Sequence, residues 1–307
     1  MSAVLVTGAS GFVGRHVARA LVAGGHDVVG VSRQGGTAAG LAIQRLNLAD
    51  AREVEQWSAS RRFDAIVHLA ATVPSSSDQH PQGYGAEEFV ADLSATLNVL
   101  GIAERYRCPV VFMSGVNVYG APGAGILTEE APLAPRDLYA ASKLAGETAC
   151  RRMSEAVGLP CAILRLSSPY GPDHTASTVL YRFLEAACRS AEIRLYGTGT
   201  RTQDFLHVDD ASRAVVALVE DPCSGIFNLG SGKPTSMREL ARSVLEAVPS
   251  SRTVITMGDR PDPQEGYHLH LSIEKLARAV RWKPSIPLVE GLQSLSGEYS
   301  IQSENRL

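Results

Sequence analysis

Short apolar runs alternate with segments of helical period along the first half of the chain. Five of these runs are predicted strands: Ala3–Val6, Asp27–Val31, Ala42–Leu46, Ala65–Leu69 and Val110–Met113. Apolar residues at three- and four-residue steps predict helices after the first strand and over 52–58 and 87–106. Strands and helices that alternate in this way form a parallel sheet covered on both faces, with ligands at the carboxyl edge.

The second half of the chain is less regular. Helices are predicted over 178–190, 209–220 and 272–280, with strands at 193–196 and 225–229 and a polar tail at the end. Ser236 and Glu239 have the spacing of a capping box that begins one further helix. Because the sequence contains no repeat and no long linker, we expect the second half to interleave with the first.

A glycine-rich turn joins the first strand to the first helix. Residues 7–14 read TGASGFVG, and a Cβ at Gly8, Gly11 or Gly14 would obstruct a tight turn, a close phosphate or the packing of helix on strand. Free backbone N–H groups and the positive end of the helix dipole would then face an anion. The position of the turn between strand and helix favours a dinucleotide site over an ordinary surface turn.

The second strand ends in Ser32-Arg33. Dinucleotide-binding units usually carry an acidic side chain near this point, where it accepts hydrogen bonds from the ribose hydroxyls. A hydroxyl and a guanidinium suit a 2′-phosphate instead, so we favour NADP(H) as the cofactor, with NAD(H) as the alternative. If Arg33 is only a solvated arginine in the glycine-rich loop that runs to Gly40, it does not decide between NADP(H) and NAD(H).

Tyr139 and Lys143 lie four residues apart in the segment YAASK, so one face of a helix presents both side chains. A phenol has an ordinary pKa of about 10, and a neighbouring cation favours its phenolate form. Tyr139 is therefore a candidate acid–base group for a carbonyl or an alcohol, with Lys143 as the cation. The alternative is a tyrosine and a lysine on an ordinary amphipathic helix.

Composition limits the partners. The chain of 307 residues has 29 basic and 32 acidic side chains, which gives no basic surface for nucleic acid or an anionic membrane. No apolar run reaches the roughly 20 residues that cross a bilayer, and no signal-type segment begins the sequence. The five cysteines and eight histidines show no disulfide or metal-ligand spacing. We expect a cytoplasmic protein with a small-molecule partner and no metal.

The glycine turn and the YAASK segment occur together with further segments that are typical of one enzyme family. These segments are Asp64–Ala71, Val118–Gly120, Leu164–Pro172, Gly197–Phe205, His207–Asp210, Phe227–Gly232 and Trp282–Pro284. The chain thus resembles the extended branch of the short-chain dehydrogenase/reductase superfamily, the group of nucleotide-sugar epimerases, dehydratases and ketoreductases.

The resemblance and the strand pattern together predict the fold and the cofactor site. We expect an α/β fold, a doubly wound parallel Rossmann sheet with a smaller, interleaved α/β substrate-binding lobe. The NAD(P)-binding domain is expected at 1–168 and 204–232, and the smaller lobe at 169–203 and 233–307. The catalytic candidates are Tyr139, Lys143 and Ser114, and the resemblance implies that Lys143 also binds the nicotinamide ribose. Residues expected at the cofactor, besides Tyr139 and Lys143, are Gly8, Ser10, Gly11, Phe12, Val13, Ser32, Arg33, Asn47, Leu48, Leu69, Ala70, Ala71 and Leu166.

Departures from the family pattern bear on the reaction. The family places Ser or Thr four residues before the tyrosine of Val-Tyr-Gly, where this chain has Gly115. Ser114 could replace it only if the backbone turned its side chain into the site; the alternatives are a backbone N–H of Gly115 or Val116, or a water. Dehydratases carry Asp-Glu immediately after that threonine, where this chain has Val116-Asn117. Dehydration is therefore set aside, because neither side chain is a carboxyl acid.

The expected substrate anchors also depart from the pattern. Ser168 stands where the family often has Asn, and Gln203 stands where it often has Arg. Arg201 lies two residues from the missing arginine, and Arg260 matches a family arginine that binds phosphate. The residues expected at the substrate are Gly115, Val116, Asn117, Ser168, Arg201, Gln203 and Arg260.

These features lead to a specific functional hypothesis. We predict an NADPH-dependent ketoreductase of a nucleoside-diphosphate 4-keto-6-deoxyhexose, with hydride transfer to C4 and Tyr139 as proton donor. The alternatives are an NAD-dependent nucleotide-sugar epimerase, a ketoreductase of a non-nucleotide natural-product ketone, and a catalytically silent dinucleotide sensor. The resemblance also implies a homodimer formed through a four-helix arrangement that includes the Tyr139 helix.

Overall fold

The computed structural model describes residues 1–38, 40–74, 83–174 and 178–304. Its strands are β1 (Ala3–Thr7), β2 (Asp27–Ser32), β3 (Gly36–Ala38), β4 (Leu41–Arg45), β5 (Ala65–His68), β6 (Val110–Gly115), β7 (Cys161–Leu166), β8 (Ser168–Tyr170), β9 (Ile193–Leu195), β10 (Thr202–His207), β11 (Gly225–Leu229), β12 (Pro234–Ser236) and β13 (Ile255–Met257). Its helices are α1 (Phe12–Ala23), α2 (Ala51–Ser58), α3 (Ala86–Tyr106), α4 (Leu138–Val157), α5 (Val179–Cys188), α6 (Val208–Glu220), α7 (Met237–Ala247), α8 (Glu274–Val280) and α9 (Leu288–Glu304), and Val116–Tyr119 forms a 3₁₀ turn.

An eight-stranded sheet has the order β11-β7-β6-β5-β1-β2-β4-β3. Its pairings are parallel except for that of the edge strand β3 with β4. Alternate residues of a strand face opposite sides. Val4 and Val6 join an apolar layer with α1, α6 and α8, whereas Leu5 joins one with α2, α3 and α4. The predicted doubly wound Rossmann sheet is confirmed.

The carboxyl edge of this sheet brings distant parts of the sequence together. Thr7 at the end of β1 lies opposite His68 at the end of β5. Gly115 at the end of β6 lies opposite Leu166 at the end of β7. Because parallel strands end at the same edge, the glycine turn and the residues after β5, β6 and β7 share one surface.

A smaller lobe has its own apolar cluster. It contains a three-stranded sheet in the order β12-β10-β8, a two-stranded sheet of β13 and β9, and helices α5, α7 and α9. The domain boundary expected between residues 203 and 204 falls inside β10, and the domain limits stay a prediction. Within the described ranges, no helix is long and apolar enough to cross a membrane.

Two expectations about secondary structure are wrong. The region expected to be a polar tail contains α9, whose Leu292 and Leu295 are buried in the apolar cluster of the smaller lobe. Local periodicity is weak there, because burial against other helices rather than intrinsic preference stabilises such a segment. The expected loop after Arg33 contains β3, which forms as an edge strand by pairing with β4.

A buried ion pair joins the large sheet to α4. Glu147 on α4 and Arg165 on β7 are 3% and 1% exposed, and Oε2 lies 2.8 Å from Nη2. Arg165 also donates from Nε to Glu147 Oε1 at 3.0 Å and from Nη1 to the Tyr119 hydroxyl and the Glu129 carbonyl. The Ser114 hydroxyl donates to Glu147 at 2.5 Å. Each charged atom of the pair therefore has a partner, as a buried ion pair requires.

Removal of one partner is expected to destabilise the protein strongly. Arg165→Met leaves the buried Glu147 carboxylate without its cation, and we expect the free energy of unfolding to fall by about 3–5 kcal/mol. The double variant Arg165→Met/Glu147→Leu removes both charges and is expected to recover most of this loss. Urea unfolding followed by circular dichroism measures both variants. A double variant as unstable as the single one would contradict the argument.

Candidate functional site

The glycine turn forms a cradle at the start of α1. Gly8 has a left-handed backbone with φ of +68°, and a Cβ there would lie 2.8 Å from the Ala70 nitrogen. A Cβ at Gly14 would overlap the Gly8 carbonyl oxygen. Gly11 is the N-cap of α1, and no described side chain caps it. The first N–H groups of the helix can therefore meet a phosphate, and the cradle fits the pyrophosphate of a dinucleotide.

Thr7 holds the loop after β5 against this cradle. Its hydroxyl accepts hydrogen bonds from the Leu69 and Ala70 nitrogens, each at 3.2 Å, and lies 2.7 Å from His68 Nδ1. Leu69 and Ala70 therefore lie beside the turn that carries the other expected pyrophosphate contacts. Ala71 follows them directly, and all three residues are partly exposed at this edge.

The end of β2 carries the residues expected to select the cofactor. Ser32 is buried, and its hydroxyl accepts a hydrogen bond from the Gly35 nitrogen at 3.0 Å. Arg33 is exposed and forms no ion pair with any described residue. After β4, Asn47 is exposed, whereas Leu48 is buried and its carbonyl accepts a hydrogen bond from an α3 side chain. Arg33 and Asn47 are thus accessible to a ligand.

Tyr139 and Lys143 lie near the start of α4, beside the end of β6. The Asp137 side chain caps this helix by accepting a hydrogen bond from the Ala140 nitrogen at 2.7 Å. Lys143 is buried, its Nζ donates to the Met113 carbonyl at 3.0 Å, and it lies 5.6 Å from the centroid of the Tyr139 ring. The helix therefore brings the phenol and the ammonium group together at the carboxyl edge.

Burial acts against the charged forms of both groups. It lowers the pKa of Lys143 to about 8 and raises the pKa of Tyr139 to about 12. The carboxylates of Asp92 and Asp137 also raise the pKa of Tyr139, and Asp92 and Glu147 raise that of Lys143. The pKa of Tyr139 is therefore raised by burial and by these carboxylates, whereas the sequence predicted that Lys143 would lower it.

Tyr84 adjoins Tyr139 and donates to Asp92, although no sequence motif singles out either residue. The rings of Tyr84 and Tyr139 meet edge to face with centroids 5.4 Å apart. The Tyr84 hydroxyl lies 2.9 Å from both Asp92 Oδ2 and Ser142 Oγ. Asp92 also accepts hydrogen bonds from the nitrogen and the hydroxyl of Thr72. This cluster depends on the packing of α3 against α4, which a local pattern does not reveal.

The Ser114 hydroxyl is committed to the interior. It is buried and donates to Glu147, so we do not assign it to a reacting substrate oxygen. Gly115, Val116 and Asn117 follow at the strand end, where the 3₁₀ turn begins. These three residues are partly exposed. The expected substitution of Ser114 for the family hydroxyl therefore does not occur.

The smaller lobe contains a cavity of about 210 Å³ that Arg201 and Asp262 help to line. Arg201 Nε donates to Asp262 at 2.5 Å, whereas its Nη1 is buried and has no hydrogen-bond partner among the described residues. Ser168 and Gln203 lie on the neighbouring strands β8 and β10. Arg260 is exposed and is not part of the cavity wall. The structure thus brings Arg201, but not Arg260, to a cavity.

Known proteins resemble this chain over nearly its whole length. The family model described as NAD dependent epimerase/dehydratase family matches residues 4–230. A UDP-glucose 4-epimerase of Mycolicibacterium smegmatis is 31% identical over 94% of this chain and 95% of its own length. UDP-glucuronic acid decarboxylase 1 of Xenopus tropicalis is 27% identical over 94% of this chain and 70% of its own length.

A solved structure of one such epimerase is also similar to this chain. UDP-glucose 4-epimerase of Thermus thermophilus, in complex with NAD, has a TM-score of 0.80 and 26% identity, and the match covers 97% of this chain and 98% of that one. The fold, the glycine cradle and the Tyr139–Lys143 pair are the features expected of the extended short-chain dehydrogenase/reductases. The chain belongs to the NAD dependent epimerase/dehydratase family.

Proposed function

We propose that the protein is a nucleotide-sugar epimerase that inverts the C4 hydroxyl of a nucleoside diphosphate hexose. The observation that carries the proposal is a single phenol–ammonium pair, Tyr139 and Lys143, at a strand end where residues 114–117 supply no carboxyl. Epimerisation needs one group that takes the alcohol proton and returns it. Relatives that match at full length and are UDP-glucose 4-epimerases support the same conclusion.

The residues divide the proposed reaction between them. A bound nicotinamide dinucleotide supplies the hydride acceptor and donor and, when oxidised, a positive charge that favours the phenolate. Tyr139 takes the C4 hydroxyl proton as the C4 hydride leaves, and it returns that proton when the hydride comes back to the other face of the 4-keto sugar. Lys143, held at the Met113 carbonyl, stabilises the phenolate that is present before the first proton transfer and again after the second. The hydride and the proton both return, so the dinucleotide and Tyr139 end as they began and only the configuration at C4 changes.

We assign the diphosphate of the substrate to the cavity of the smaller lobe. Arg182, Arg194 and Arg201 line this cavity. A phosphate oxygen would satisfy the unpaired Nη1 of Arg201, and a planar guanidinium suits that contact. Ser168 and Gln203 supply a hydroxyl and an amide on the adjacent strands. Arg260, two residues before Asp262, stays a candidate for the same phosphates.

The cofactor separates this proposal from a second candidate function. We propose NAD(H) for the epimerase, in line with the NAD-bound structural neighbour. Ser32 and the exposed Arg33 favour an NADPH-dependent 4-ketoreductase of a deoxyhexose nucleotide instead, because a hydroxyl and a free guanidinium suit a 2′-phosphate. The Ser32 oxygen already accepts from Gly35, which leaves its proton for a ligand.

The proposal includes a cytoplasmic homodimer. Val90 and Leu97 on α3 are 60% and 52% exposed, seven residues apart on one side of the helix. Helices α3 and α4 pack against each other. Exposed apolar side chains on this helix pair would be covered if a second copy packed here in the four-helix arrangement that the resemblance implies.

The first test is the reaction itself. Purified protein is expected to interconvert UDP-glucose and UDP-galactose, measured by chromatography of the sugar nucleotides. Tyr139→Phe keeps the ring but removes the transferable proton, and we expect kcat to fall by about 10²–10⁴-fold while the dinucleotide still binds. An active Tyr139→Phe variant would overturn the assigned acid–base group. Consumption of NADPH with a 4-keto sugar nucleotide, without epimerisation, would replace the epimerase by the ketoreductase.

The pH profile tests the electrostatic role of Asp92. Its carboxylate raises the pKa of Tyr139, and the proposed oxidation half-reaction needs the phenolate, so activity rises with pH as Tyr139 loses its proton. Asp92→Asn keeps the shape of the side chain and removes the charge, and we expect the acid limb of kcat to move to lower pH. Glu104→Gln, an exposed change on the same helix, is the control. An acid limb that stays in place contradicts this role.

The retained cofactor discriminates between the two candidate functions. An epimerase keeps its dinucleotide through each cycle, so we expect NAD(H) to be released when the purified protein is denatured. Arg33→Ala is expected to weaken NADP(H) binding more than NAD(H) binding, with exposed Arg62→Ala as the control. Isothermal titration calorimetry measures both affinities. Release of NADP(H), or tighter binding of NADPH than of NADH, would favour the ketoreductase.

A further inference from the structure

Asn117 carries a buried polar atom that the protein does not satisfy. Its Oδ1 is inaccessible to solvent and has no hydrogen-bond partner among the described residues. An unpaired buried amide oxygen is energetically unfavourable, and such groups call for an explanation such as a catalytic role or a bound water. No described residue bonds this oxygen, so exchange of the oxygen and nitrogen ends of the amide breaks no hydrogen bond of the described chain at Oδ1.

The Asn117 amide occupies the place of a side chain at residue 115. A Cβ on Gly115 would lie 2.7 Å from Asn117 Oδ1 and 3.6 Å from its Cγ. The Gly115 backbone is extended, with φ of −144° and ψ of 157°, a conformation that any residue adopts. Glycine is therefore not needed there for the backbone. The amide of Asn117 is the described group nearest to that position, and it would have to shift to admit a side chain at residue 115.

The surroundings hold Asn117 in this place. It lies in the 3₁₀ turn that follows β6, and its carbonyl accepts a hydrogen bond from the Gly120 nitrogen at 3.0 Å. Val118 and Tyr119, the next residues of the turn, are buried. The Tyr119 hydroxyl donates to Asn228 Oδ1 at 2.7 Å and accepts from Arg165. The backbone that carries the amide is thus anchored to the interior.

The same strand end adjoins the proton-transfer pair. Lys143 donates to the carbonyl of Met113, two residues before Gly115. Ser114 is turned into the interior, and Val116 has no polar side-chain atom. Among residues 114–117, Asn117 therefore has the one side chain that is polar and not already bonded within the described chain.

We infer that the Asn117 side chain hydrogen-bonds the sugar oxygen whose proton Tyr139 transfers, in place of a hydroxyl at residue 115. The inference rests on the proposed function. That oxygen keeps a lone pair both as an alcohol and as a ketone, so an amide N–H can bond it throughout and stabilise the charge that develops on it. Tyr139 moves the proton, and Asn117 supplies an amide dipole from a turn whose backbone is anchored to the interior. The competing hypothesis is polarisation by the backbone N–H of Gly115 or Val116, or by a water.

Variants at residues 115 and 117 test this inference. Asn117→Ala is expected to lower kcat by about 10²–10³-fold, the usual loss for one such donor, with unchanged dinucleotide affinity. Gly115→Ser alone forces the hydroxymethyl group against the amide and is expected to lower kcat as well. The double variant Gly115→Ser/Asn117→Ala makes room for the hydroxyl and is expected to recover at least about tenfold of the loss. Gln56→Ala, an exposed amide truncation on α2, is the control.

The kinetic outcomes separate the two hypotheses. A wild-type kcat in Asn117→Ala would mean that a backbone N–H or a water, rather than Asn117, bonds the sugar oxygen, and it would overturn the inference. A double variant no better than Asn117→Ala would show that the amide does not stand in for a hydroxyl. Thermal unfolding of each variant excludes a loss of folded protein. The assay uses whichever reaction the wild type catalyses, epimerisation or 4-keto reduction.

A second measurement does not depend on turnover. The side-chain NH₂ signals of Asn117, identified by their loss in Asn117→Ala, are expected to shift when a sugar nucleotide binds to the protein loaded with its dinucleotide. A nucleoside diphosphate without the sugar is expected to leave them in place. Equal shifts with both ligands, or none, would overturn the contact even if the epimerase proposal holds. Failure of the proposed function appears instead as a wild type without epimerisation.

Discussion

The buried pair of Glu147 and Arg165 is the contact on which the site depends. Two charges held out of water are stable only when each is paired and hydrogen-bonded, and this requirement fixes α4 against β7. Lys143 lies one helical turn before Glu147, so the pair also sets how far the ammonium group reaches toward Met113. The Glu147 carboxylate also accepts a hydrogen bond from the Ser114 hydroxyl and so holds that side chain in the interior.

Burial also shifts the pKa values of Tyr139 and Lys143, which lie beside the end of β6. The interior opposes charge on Tyr139 and on Lys143, and it raises the pKa of the phenol while it lowers that of the ammonium group. Asp92 then acts on both groups, since its carboxylate disfavours the phenolate and favours the ammonium ion. In the proposed reaction, the positive charge of an oxidised dinucleotide would act against this shift and favour the phenolate.

The two halves of the site are built in different ways. The cofactor half that we propose depends on backbone: the glycine cradle, the first N–H groups of α1 and the loop that Thr7 holds. The substrate half that we propose depends on side chains such as Asn117 and Arg201, each with a buried polar atom that the described protein leaves unpaired. Backbone sites suit a ligand that all members of a fold share, whereas side chains can be exchanged for a particular substrate.

Local sequence was sufficient for the alternating strands and helices, the glycine cradle and the helical pairing of Tyr139 with Lys143, because each depends on residues a few positions apart. Only the tertiary structure decided the rest. Helix α9 is stabilised by burial in the apolar cluster of the smaller lobe, and Tyr84 contacts both Asp92 on α3 and the Tyr139 ring on α4. The interior contact of Ser114 and the unpaired amide of Asn117 depend on which way a side chain turns at a strand end. Contacts between distant segments set that direction, and no spacing along the chain encodes them.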